Sequence, residues 1–157
     1  MKKESMQAYS KRITQANRTE LVVITYEIII EHIKNAQISF ENQEEFSNDL
    51  DQAQAFLKEL MVSLDFEHQI SYNLMSLYIF INKQLIEAKL KKSCEMLPTV
   101  QGMLESLLSS FREVSKQDNS APLMQNTQKV YAGLTYGRDD VNEMSLASDD
   151  RNRGFKA

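Results

Sequence analysis

Side chains capable of acid–base, nucleophilic or metal chemistry are few in this sequence: two histidines, His32 and His68, and one cysteine, Cys94. A di-iron carboxylate centre in a helical protein uses a Glu three residues before a His on facing helices. Here Ile29 precedes His32 at that spacing and Asp65 precedes His68. A phosphotransfer histidine needs an exposed ring with a well-spaced basic residue, and His32 with Lys34 is a poor version of it. Both histidines therefore read as surface or boundary residues with structural roles. Cys94 falls near the start of a predicted helix, where the helix dipole lowers a thiol pKa, but neither a histidine nor a second cysteine accompanies it. A lone thiol forms no intramolecular disulfide and suits a reducing compartment, so the cytosol is expected. There is no glycine-rich phosphate loop, Gly-x-Ser-x-Gly elbow or paired-cysteine motif. The expectation is a protein that is not an enzyme, with no catalytic residues, no metal site and no cofactor.

What remains is the chemistry of apolar surface. Tyr72, Met75, Ile79, Ile86 and Leu90 fall on one side of a predicted helix, opposite a second apolar face formed by Leu74, Leu77 and Ile81. A bundle helix needs only one such face. The second is either covered by another segment of the chain or is a groove for a partner, because each large apolar side chain left in water forgoes roughly 1.5 to 3 kcal/mol of burial. Met6, Tyr9 and Ile13 recur at 3,4 spacing in a basic, Gln-rich leader and are expected to dock reversibly as a plug. The eight methionines fit an adaptable contact surface, although most methionines are core filler.

Four segments must position these residues, and each follows the 4,3 helical template. The first reads Val22, Tyr26, Ile29, Ile33, Ala36, Phe40, with Glu27, Glu31 and Lys34 opposite and a capping box from Asn17 to Glu20. The second reads Phe46, Leu50, Ala53, Leu57, Leu60, Leu64; the third Ile70, Leu74, Leu77, Ile81, Leu85, Ala88; the fourth Leu97, Val100, Leu104, Leu107, Phe111, Val114. The runs Leu21 to Ile24 and Ile28 to Ile30 would also suit strands, but the segment's length favours helix. Before residue 121 the only turn-forming Gly or Pro residues are Pro98 and Gly102, which again argues for helices. Pro98 must lie in the first turn of its helix or bend it, and Gly102 is expected at a close helix contact.

Short polar connections at Asn42 to Glu45, Asp65 to Gln69 and Lys91 to Ser93 join antiparallel neighbours. The expected fold is all-α: an antiparallel up-down four-helix bundle over residues 17–117, after an N-terminal segment at 1–16. Residues 118–157 are expected to form a linker, a short helix beginning at Leu123 and a disordered tail. No aliphatic run is long enough to span a membrane. The formal charge of −4, without a Lys/Arg run, argues against nucleic acid.

Several strings resemble the FliS family of flagellar export chaperones over about residues 6 to 117. They are Ala8-Tyr9 in the leader, Glu20-Leu21 with Tyr26, and Ser63-Leu64-Asp65. The strongest set is Asn73-Leu74, Leu77-Tyr78, Asn82 and Leu85-Ile86-Glu87-Ala88. The string Val130 to Gly137 is similar to a tail seen in some members. Arg18 stands where a proline is common, Phe80 where a tyrosine is more usual, and Pro98 bears on the groove beside the fourth helix. The resemblance implies a cytosolic bundle that binds the C-terminal segment of flagellin along apolar grooves, with an N-terminal segment able to occupy the site. On that expectation the client meets Leu50, Leu57, Met61, Tyr72, Met75, Ile79 and Ile86, the plug is Met6, Tyr9 and Ile13, and the chaperone is a monomer or weak homodimer. The flagellar export gate is a possible second partner. The rival expectation is a different helical adaptor, or a bundle that self-associates through the Tyr72, Met75, Ile79 stripe.

Overall fold

The structure, a computed structural model, describes residues 3–124. Five helices follow one another: α1 Lys3–Gln15, α2 Arg18–Ile38, α3 Gln43–Val62, α4 Gln69–Lys91 and α5 Leu97–Gln117. The four predicted segments are α2 to α5, and the leader is a helix of its own.

Local chemistry sets the ends. Asn17 caps α2, its side-chain oxygen accepting from the Glu20 amide at 2.9 Å. Only half of the expected capping box forms, because the Glu20 carboxylate accepts from Arg12 and Ser115 instead. Asn42 caps α3 by accepting from the amides of Glu44 and Glu45. At the end of α4 Lys92 takes a left-handed conformation (φ 49°), and the Ser93 amide donates to the Ala88 carbonyl at 3.0 Å. That closure satisfies carbonyls a helix end would otherwise leave bare. Pro98 lies in the first turn of α5, where a missing amide proton costs nothing. Gly102 is exposed and a Cβ there would meet no atom within 4 Å, so it does not mark a close helix contact.

Polar contacts along the helices fix their directions. Arg18 reaches Ser63 and His32 reaches Asp49, so α2 and α3 run antiparallel. Gln54 pairs with Asn82 and Asp51 with Lys89, which sets α3 against α4 in the same sense. Glu20 meets Ser115, Glu27 meets Arg112 and Lys34 meets Glu105, so α5 lies antiparallel on α2. The core between them holds Tyr26, Ile29 and Ile33 of α2, Phe46, Leu50 and Leu57 of α3, Tyr78, Ile81 and Leu85 of α4, and Leu97, Val100 and Leu104 of α5. At its centre the hydroxyls of Tyr26 and Tyr78 hydrogen-bond to each other, joining α2 to α4.

His32 is not a surface residue. It is buried, bonded through Nδ1 to Asp49 at 2.8 Å and stacked on Phe56 with ring centroids 6.2 Å apart. Its role is structural, as expected, but its place is inside, because a partner 17 positions away supplies the polar contact that burial requires.

Candidate protein-binding surface

Helix α4 turns its inner face, Leu74, Tyr78, Ile81, Leu85 and Ala88, into the core. With α3 and α5 as its packed neighbours, its outer face is left open among the described helices. Tyr72 is 53% exposed, Ile79 57%, Ile86 41% and Leu90 78%, with Met75 half-buried among them. At 100° per residue these five fall within about 60° of arc and extend about 27 Å along the axis, the length of a partner helix of some five turns. Phe66, in the loop before α4, widens the stripe at its N-terminal end, its ring 5.1 Å from that of Tyr72. Ile70, 63% exposed, lies in the first turn of α4 on the side of the helix opposite the stripe. Phe66 was not among the expected site residues; the signal was an aromatic side chain in an otherwise polar connection.

The expected client residues divide. Tyr72, Ile79 and Ile86 are open, and Met75 and Met61 are half-buried, Met61 packing against the core from α3. Leu50 and Leu57 are wholly buried and are corrected to core residues. A helix with one apolar stripe spends it on the interior, and Leu50 and Leu57 belong to the only such stripe of α3.

A second apolar surface lies on α2, on the side away from the core. Ile24 and Ile28 there are buried beneath α1, packed with Tyr9, Ile13, Ala16, Leu21 and Phe56. Two of the three expected plug residues, Tyr9 and Ile13, make this contact, whereas Met6 is 53% exposed. The place of the plug is thus corrected: α1 covers the back of α2, not the stripe on α4. Ile24 and Ile28 went unnoticed as a surface because their run also supplies the core.

Charge reinforces the docking. Arg12 of α1 donates to Glu20 at 2.8 Å and to Glu27, and Arg112 of α5 donates to Glu27 at 2.9 Å. Arg12, Glu27 and Arg112 border an open cleft of about 720 Å³ shared with Tyr9, Glu31 and Lys34. Burial, then the neighbouring Glu31 carboxylate, pushes the Tyr9 phenol up to about 12. Burial alone would raise Glu27, but hydrogen bonds from Arg12 and then Arg112, with their charges, hold its carboxyl below the usual range. A depressed carboxylate stabilises the fold above its unfolded pKa, and that contribution is lost as pH falls through the folded value. The melting temperature should therefore drop on acidification below the ordinary carboxylate range. In Glu27→Gln, followed by circular dichroism, the drop should be smaller, since the pairing is already absent at neutral pH. An equal drop in both proteins would mean that Glu27 contributes nothing.

Nothing in the described residues resembles a reaction centre. They contain no group of three or more His, Cys, Asp or Glu side chains placed to hold a metal ion. Burial pushes the Cys94 thiol up, against the shift a nucleophile needs. No described helix is long and apolar enough to cross a membrane.

The family model described as flagellar protein FliS matches residues 1–118. No curated protein matches the chain. Among solved structures, one described as the crystal structure of a flagellar chaperone from bacteria is similar with a TM-score of 0.61, over 73% of this chain and 99% of that one. At 16% sequence identity that likeness shows a shared helical fold.

Proposed function

The chain belongs to the FliS family of flagellar proteins, a chaperone family and not an enzyme family, and we propose that it is a cytosolic export chaperone for flagellin. In this reading it binds the C-terminal segment of flagellin, keeps it from polymerising early and holds it competent for flagellar type III secretion. The observation that carries the reading is the open apolar stripe on α4, which suits an amphipathic client helix laid along it. Ordering a disordered client costs roughly 2 to 5 kcal/mol of the gross interaction energy, so a contact of this length is needed. In this reading residues 1–16, with α1, are a displaceable segment and residues 17–117, with α2 to α5, are the client-binding body. The expected short helix and tail lie, after Met124, outside the described residues.

The test is calorimetric titration with a peptide carrying the C-terminal region of flagellin. One-to-one binding with a large negative heat-capacity change is expected. If the client also displaces α1 from Ile24 and Ile28, deleting residues 1–16 should tighten binding about tenfold, because a cover no longer competes. Absence of heat, together with a dimer in a size measurement, would overturn the client reading and assign the α4 stripe to self-association.

A further inference from the structure

The residues that leave α5 do not run off into solvent but return to the junction between α1 and α2. Asn17 donates its side-chain amide to the carbonyls of Asp118 at 3.3 Å and Ser120 at 3.4 Å. The Thr19 hydroxyl donates to the Asp118 carboxylate, whose other oxygen accepts from the Ser120 amide at 2.9 Å. Beyond Pro122 the Leu123 amide donates to the Ala16 carbonyl at 3.0 Å, at the end of α1. Leu123 also lines a cleft of about 440 Å³ with Leu21, Val22 and Leu60.

We propose that residues 118–123 are a strap that locks the α1–α2 elbow and sets how readily α1 leaves the back of α2. The strap's contacts are with the two residues between the helices, Ala16 and Asn17, and the first turn of α2. Those are the residues whose backbone must turn if α1 swings away while α2 stays in the bundle. With the strap seated, the Ala16 carbonyl is tied to a segment fixed to α5. Release of α1 then requires Leu123 to let go or to move with it. That such release admits a client rests on the function proposed above; the strap itself does not.

Asn17 serves both strap and cap, but through different atoms. Its oxygen caps α2 and its nitrogen holds the strap, so Asn17→Asp keeps the cap and removes the donor. Thr19→Val removes the hydroxyl at constant shape and touches no capping bond. Hydrogen exchange of the full chain, without client, reads the result. In a protein carrying both changes, the amides of α1 should exchange about tenfold faster, the loss expected for a few exposed hydrogen bonds, with α2 to α5 unaltered. Thr19→Val alone should show some of that acceleration, confined to α1. If α1 exchanges as in the wild type in Thr19→Val, the strap is overturned, whatever the double variant does. No flagellin is in the sample, so this failure would leave the chaperone reading standing, and a failed titration would leave the strap standing.

Discussion

Replacing Ile79 by Asp is expected to abolish client binding, weakening it by more than about a hundredfold, while leaving the bundle folded. Ile79 lies mid-stripe on α4 and is 57% exposed, so a carboxylate there remains hydrated in the free protein. In a helix interior Asp costs at most about 0.7 kcal/mol relative to the best helix formers. Under a docked client the same carboxylate would lose its water without gaining a partner, a penalty of several kcal/mol that the complex cannot recover. Circular dichroism should show unchanged helicity and a melting temperature within a few degrees of the wild type, and titration should show no heat. Retained binding would remove the outer face of α4 from the mechanism.

Leu57→Ala should do the converse. Leu57 is fully buried between α3 and the rest of the core, and truncating such a residue costs about 2 to 5 kcal/mol through lost transfer energy and the cavity left behind. The protein should melt well below the wild type. At a temperature where it is still folded, its affinity for the flagellin peptide should be unchanged. A stable Leu57→Ala protein with lost affinity would reverse the assignment and place Leu57 in a groove. Together the two variants separate the face that binds from the face that folds, a distinction the apolar pattern alone does not make.

That distinction marks how far the sequence could be read. The helices α2 to α5 were legible because their core residues recur at 4,3 spacing and their loops are short and polar. The second stripe on α4 was legible for the same reason: two apolar faces on one helix can be counted. The covered face of α2 was not, although Ile28, Ile29 and Ile30 all go inside. Three consecutive isoleucines cannot share one side of a helix, but the glutamates between the apolar runs made the outer side read as solvated. Glu27 is in fact paired by Arg12 and Arg112, from α1 and α5. That the leader docks was visible in the 3,4 spacing of Met6, Tyr9 and Ile13, but its partner was not, because nothing local says which of two exposed stripes a short amphipathic segment will cover. His32 with Asp49, and Asn17 with Asp118, are pairings of distant positions, and spacing along a chain carries no signal for them.

The hydroxyl pair at the centre of the bundle bears on the cost of recognition. Tyr26 and Tyr78 are each nearly inaccessible, and each is the other's hydrogen-bonding partner. Rotating α4 enough to reshape its outer face would pull these hydroxyls apart in a dry interior and strand both. Tyr78 lies next to Ile79, so the anchor and the contact surface are adjacent on one helix. The surface offered to a client is therefore a preorganised template: the loss of conformational entropy on binding falls on the client, and variants across the stripe should alter dissociation more than association.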